Sequence, residues 1–208
     1  MKPERLHRYV PDELSPEQRR LYDAITQGPR SKGPQLVPLM DAEGRLEGPF
    51  NALLLSPDVG TALQELGSTI RYRTALSDRA REIAILEVSA HRHADFEWYA
   101  HERIGRAAGL SNDEIAAIRR GKKIATLDAG ETLVRRLVRM LLRERDLDRS
   151  KFEEARDLLG ARALMDLIAL VGYYDTIALS LRVWRTPLPE GETSPFRKGA
   201  RRKAATSS

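Results

Sequence analysis

The chain of 208 residues contains no cysteine. That absence excludes disulfides, thiolate metal sites, iron-sulfur clusters and every mechanism with a cysteine nucleophile. No run of about 18 uncharged apolar residues occurs, and the opening MKPERLHRYVPDEL lacks the apolar centre of a secretory signal. A cytoplasmic protein with no membrane partner is the expectation. Glycine-rich phosphate loops, internal repeats and sustained heptad seams are also missing, which removes the common nucleotide-binding, solenoid and coiled-coil readings.

What is present fits one domain. With 41% hydrophobic side chains, the chain is long enough to bury a proper core. The formal charge of +5 is unevenly spread: the last 19 residues hold Arg197, Lys198, Arg201, Arg202 and Lys203 against Glu190 and Glu192. The body is therefore close to neutral and has no obvious stripe for a polyanion. The expected division is a helical domain over 1–189 and a basic, disordered tail over 190–208. A nucleic-acid or acidic-partner arm is the alternative use of that tail.

Helix signals dominate. Ser15, Ser111, Asp128 and Ser150 each precede a Glu or Gln by three positions, the pattern in which a side chain caps free N–H groups and the acid or amide reciprocates. Ser56-Pro57 places proline at a first helical position. Gly28, Gly109, Gly121 and Gly160 follow amphipathic runs and predict stops. These signals predict helices near 16–27, 57–73, 78–92, 95–108, 112–120, 129–143, 151–159 and 161–184, an all-α fold. Segment 29–56 is too rich in Gly and Pro for helix and reads as a long loop that packs on the body. The apolar stretch Leu167-Ile168-Ala169-Leu170-Val171 is flanked by Asp166, Asp175 and Arg182, which fits a core or subunit-interface helix better than a membrane span.

Helix 78–92 is apolar on every side, yet Glu82 stands inside it, so its carboxyl must take up a proton or face a base, a cation or another subunit. On helix 95–108, Glu97 and His101 are i,i+4 neighbours projecting from the apolar stripe. An antiparallel hairpin turning at 93–95 brings Glu82 opposite this pair. Two carboxyls and an imidazole sharing a pocket can carry acid-base chemistry; the same set can equally be a satisfied polar network that fixes packing. Arg71 and Arg73 can grip a substrate carboxylate. Trp98 and Tyr99 read first as packing or interface aromatics, and Trp98 joins Arg73 as a candidate substrate contact. His91 and His93 with His101 are metal-type side chains in a generic spacing; no metal or cofactor is expected.

The stretches Arg81-Glu82-Ile83-Ala84-Ile85-Leu86, Glu97-Trp98-Tyr99-Ala100-His101 and Ala107-Ala108-Gly109-Leu110-Ser111 resemble the carboxymuconolactone decarboxylase family, which includes alkyl hydroperoxidase D-like proteins. Gly48-Pro49-Phe50-Asn51-Ala52 is similar to larger members. The resemblance implies an alkyl hydroperoxidase D-like helical bundle assembling as homotrimers or homohexamers. In the peroxidase branch, a Cys-X-X-Cys pair lies seven and four residues before the motif histidine; those positions are Ala94 and Glu97 here. Peroxidase chemistry by that thiol route is therefore excluded. The decarboxylase branch needs no thiol, and by resemblance His101 is the proton shuttle, Glu82 its orienter or the base, and Glu97 a second acid. The reading is a lyase or isomerase acting on a small lactone or carboxylate; the alternative is a non-catalytic, oligomeric ligand-binding or interaction protein of the same fold.

Overall fold

A computed structural model of the protein describes residues 5–32 and 35–196. Among them no strand forms. The helices are α1 (Pro16–Thr26), α2 (Phe50–Leu53), α3 (Pro57–Tyr72), α4 (Asp78–Arg92), α5 (Asp95–Ala107), α6 (Asn112–Arg119), α7 (Ala129–Glu144) and α8 (Arg149–Trp184). Short 3-10 turns at Pro11–Glu13 and Pro29–Ser31 and one antiparallel bridge between Met40 and Leu46 complete the pattern. The fold is an all-α bundle.

Local chemistry sets most of these boundaries. Ser15, Ser111 and Asp128 make full capping boxes with Gln18, Glu114 and Glu131. The last helix starts earlier than 151 because Asp148, not Ser150, caps it by accepting from the Lys151 N–H. Its path breaks at Gly160, whose φ of 82° and ψ of 156° lie outside the helical region, so two helical pieces meet there end to end. Helices α4, α7 and α8 end in the left-handed residues His93, Arg145 and Arg185, a conformation in which glycine is the usual occupant.

Helix α4 is the axis of the bundle and packs on α5, α6, α7 and α8, which explains why its sequence is apolar all round. One core joins Ala84, Ile85 and Val88 of α4 to Leu137 and Val138 of α7 and Leu167, Leu170 and Ile177 of α8. A second lies across α4, where Ile83 and Leu86 meet Trp98, Leu110, Ile115 and Ile118. The third attaches α1 and segment 46–54 through Leu21, Ile25, Leu46 and Leu54. Arg79 ties α4 to α6 and α7 by donating to Glu114 at 3.1 Å and Glu131 at 2.7 Å. Burial works to raise the Glu114 pKa, but bonds from Ser111, Thr126 and Arg79 outweigh it and hold it at about 2.

By length and composition α8 is long and apolar enough to cross a membrane, but half of that stretch is buried inside the fold. It is a core helix, as Asp166, Asp175 and Arg182 imply. Residues 190–196, grouped with the tail by composition, lie against α5: Glu192 pairs with Arg103 at 2.6 Å, Ser194 bonds Asp95, and the Phe196 ring meets the Trp98 indole edge-on at 5.4 Å. The five tail cations from Arg197 onward, and the disorder expected there, lie outside the described residues.

Candidate active site

The hairpin of α4 and α5 turns at His93, and its geometry brings two of the three singled-out groups into direct contact. His101 Nδ1 lies 2.7 Å from Glu82 Oε2. Glu82 is 1% and His101 6% exposed, so the pair is held out of bulk water. With Glu82 as the acceptor, His101 donates its Nδ1–H to Oε2. No described residue bonds Nε2. Gly105, one turn beyond His101, lets α5 lie close to α4 at the Glu82 side chain.

Glu97 faces the same side of α5 as His101 and is 3% exposed. Its Oε2 accepts a long bond from Ser89 Oγ at 3.4 Å, and its Oε1 has no partner among the described residues. Burial pushes its pKa well above the usual carboxylate range; the Ser89 hydroxyl pulls weakly back and the Asp175 charge pushes further up. Glu97 therefore holds its proton more tightly than an exposed carboxyl does.

Both side chains open onto a cavity of ≈ 90 Å³ between α5, α8 and segment 37–50. Its wall is mostly apolar, with Phe50, Phe96, Ala100 and Ile104 among its residues. Tyr174 stands edge-on to the His101 ring at 5.1 Å and to Tyr173 at the same spacing. Burial raises both phenol pKa values, strongly for Tyr174, so both hydroxyls keep their protons and can donate. Segment 37–50 roofs the cavity. Ion pairs of Arg8 with Asp41 at 3.1 Å and with Glu47 at 2.7 Å clip the roof down. At Gly48 (φ +61°) the backbone runs against the Phe96 ring, where a Cβ would come within 2.3 Å.

Two arginines border this space. Arg30 is 9% exposed, donates from Nε to Gln64 at 2.9 Å and lies over the Phe50 ring. Gly67 makes room for it: a Cβ there would strike Tyr173 Oη and Arg30 Nη2. Arg71 lines the cavity and stacks on Tyr72. Neither guanidinium has a carboxylate within ion-pair distance among the described residues, unlike Arg8, Arg79, Arg92 and Arg135.

The structure places the two candidate substrate contacts elsewhere. Arg73 is exposed past the end of α3, its carbonyl accepting from Arg162 at 3.5 Å; two residues along a helix turn a side chain by about 200°, and Arg71 is the one that lines the cavity. Trp98 is on the far side of α5, sealed in the second core with its Nε1 donating to Glu102 at 2.7 Å. It is a packing residue, the first of its two sequence readings. His93 ends α4 and lies against Phe196, away from His101. Arg30, Tyr173 and Tyr174 escaped sequence reasoning. The tyrosine pair carried a signal, two hydroxyls inside an apolar helical run, whereas Arg30 in a Gly/Pro-rich loop carried none.

This arrangement defines a class: an all-α bundle around a helix hairpin with a buried glutamate–imidazole dyad and a separate buried carboxyl. Residues 57–139, which contain Glu82, Glu97 and His101, match the model of the Carboxymuconolactone decarboxylase family. No curated protein matches the chain in sequence. A crystal structure described as an uncharacterized peroxidase-related protein from Silicibacter sp. TM1040 has the same fold, with a TM-score of 0.69 at 14% identity over 90% of this chain and 92% of that one. Its peroxidase relation does not transfer through thiols, since this chain has none.

Proposed function

We propose that the protein is a cytosolic, thiol-independent acid-base enzyme, a lyase or isomerase acting on a small carboxylate or lactone acid. The observation that carries this reading is the His101–Glu82 bond beside a proton-bearing Glu97 on one cavity. Groups whose surroundings drive their proton affinities apart are what acid-base catalysis requires. In a decarboxylation, the C–CO2⁻ electron pair moves toward an adjacent unsaturated carbonyl, carbon dioxide leaves, and the resulting enolate oxygen accepts from Tyr174 or Tyr173. The carbon then takes the Glu97 proton, and solvent restores it. In an isomerisation, His101 Nε2 removes a proton beside the carbonyl to give a dienolate, Glu82 stabilises the imidazolium, and the imidazolium returns the proton at the far carbon of the conjugated system, which shifts the double bond. Arg30 and Arg71, lacking carboxylate partners, supply the positive charge for the substrate's acid group.

Exposed apolar side chains on α8 (Leu158, Met165, Leu179) and α3 (Val59, Leu66) support assembly into a homotrimer or homohexamer; sedimentation of a monomer would reject it. The catalytic reading is tested by following proton-deuterium exchange and carbon dioxide release across lactone acids, 2-oxo acids and β-keto acids. Wild type should turn over at least one of them, and His101→Ala and Glu82→Gln should abolish that turnover with unchanged circular dichroism. Undiminished turnover in both variants removes the assignment. A panel with no turnover, together with a lowered Tm in Glu82→Gln, identifies the dyad as structural and the protein as a non-catalytic binding module.

A further inference from the structure

A second site lies on the opposite side of α4. Helix α7 turns Leu133, Val134, Leu137 and Val138 into the core, and its other face repeats at helical spacing as Thr132, Arg135, Arg136, Arg139, Met140 and Arg143. With Lys123, Ile124 and Leu127 of the preceding loop, that face walls a groove of ≈ 460 Å³. Five cations line it. Arg135 holds Glu87 through Nε, Arg139 reaches the same carboxylate at 4.0 Å, Arg136 pairs with Glu154 and the exposed Arg143 with Glu144 at 3.7 Å. Five positive charges thus share three carboxylates, one of which, Glu144, itself lines the groove, and no described acid pairs with Lys123.

The decisive group is Arg135. It is 7% exposed, the guanidinium cannot lose its charge, and its Nη2, closed off from solvent, has no hydrogen-bond partner among the described residues. The side chain still lines the groove, and the surplus of fixed positive charge around it points to an anion that arrives from solution. A planar fork beside further arginines matches the tetrahedral oxygens of a phosphate, which it can bind through two parallel bonds. Ile124, Leu127 and Met140 add an apolar wall that inorganic phosphate would not use. We infer that this groove binds a phosphorylated small molecule carrying an apolar or aromatic portion, with Arg135 as the buried anchor and Arg139 and Lys123 closing on the phosphate oxygens. The site is separate from the His101 cavity and does not depend on the reaction proposed there.

Isothermal titration of the full chain with ADP and with inorganic pyrophosphate, at low and moderate salt, tests this. Saturable binding of ADP is expected, tighter than that of pyrophosphate and weakened by salt. Arg139→Ala combined with Lys123→Ala should weaken it about tenfold or more while keeping the fold, because both side chains sit at the groove's outer edge. Arg135→Lys should weaken ADP as well, by removing the fork. His101→Ala should bind ADP as wild type does, which separates this claim from the catalytic one. Absence of saturable binding at millimolar ADP, or affinity untouched in the Arg139/Lys123 variant, overturns the proposal. Tighter binding of a single-stranded oligonucleotide than of ADP overturns it in favour of a nucleic-acid surface.

Discussion

Two buried glutamates five residues apart on α4 meet opposite fates. Glu82 faces α5 and bonds an imidazole at 2.7 Å, with the Arg81 guanidinium farther off at 3.7 Å from its other oxygen; Glu87 faces α7 and bonds the Arg135 guanidinium. Both are sealed from solvent by the same bundle, yet only one can take part in proton transfer. An imidazole changes charge near neutral pH, while a guanidinium never does. On the proposed reading the cavity side of the helix carries the proton transfer, and the groove side is a fixed ion pair. Burial alone does not make a reactive carboxyl; the partner decides.

Removing each partner in turn is the strongest way to break this contrast. On the cavity side, His101→Ala should lower kcat by about 10²–10⁴-fold, the usual worth of a positioned proton-transfer group, and leave the fold in place. On the groove side, Arg135→Met should do the reverse. It strands Glu87 in the interior, at a cost of about 3–5 kcal/mol in urea unfolding, and Glu87→Gln in the same chain should recover part of it. If His101→Ala destabilised as much as Arg135→Met and spared turnover, the two ends of α4 would be equivalent and the distinction would fail.

Glu97 extends the comparison to a carboxyl with no cation at all. Its folded pKa is raised, chiefly by burial, so it stays protonated in the fold at pH values where the unfolded chain has released that proton. Stability from this group is full below the unfolded carboxyl pKa and falls as pH rises, by about 1.4 kcal/mol per unit, until the folded group itself ionises. Glu87, also raised by burial, adds in the same direction. Glu114, held at about 2, acts in the opposite sense: its contribution is present above the unfolded value and is lost as pH falls toward 2. Chemical denaturation of Glu97→Gln between pH 5 and 9 should show a flatter alkaline limb than wild type and higher stability at pH 8. An unchanged slope would mean that Glu97 is ionised and cannot be the acid.

How much of this could be read before the structure depended on how local the cause was. Ser15, Ser111 and Asp128 announce their helices because each cap is completed within four residues, and the Gly160 break needed only one residue without a Cβ. Ser150 misled because Asp148, two residues earlier, satisfies the same orphan N–H groups. The Glu82–His101 contact was legible because both groups were polar intrusions in apolar stripes at matched distance from one turn. Arg30 was not, since its place at the cavity is set by Gln64, Phe50 and Tyr173, contributed by segments far apart in the chain. Trp98 shows the converse limit. Adjacent to Glu97 in sequence, it points about 100° away around α5, so nearness in the motif said nothing about nearness to the cavity.

The smallest expected effects mark where the site stops. Arg71 lines the cavity without a carboxylate partner, and Arg73, two residues on, lies exposed beyond the helix end. If Arg71 meets the substrate's acid group equally in the ground and transition states, Arg71→Ala should raise KM about tenfold, roughly 1.4 kcal/mol, with kcat nearly unchanged. Arg73→Ala should alter neither constant, and its stability should stay within about 0.5 kcal/mol of wild type, as for an ordinary surface substitution. The pair is informative because net charge changes identically in both variants, so a long-range field effect would move KM equally. Equal shifts would show that the arginines only steer anions toward the roof segment; a shift confined to Arg71 assigns it a place against the bound acid, on the same wall as Glu97 and His101.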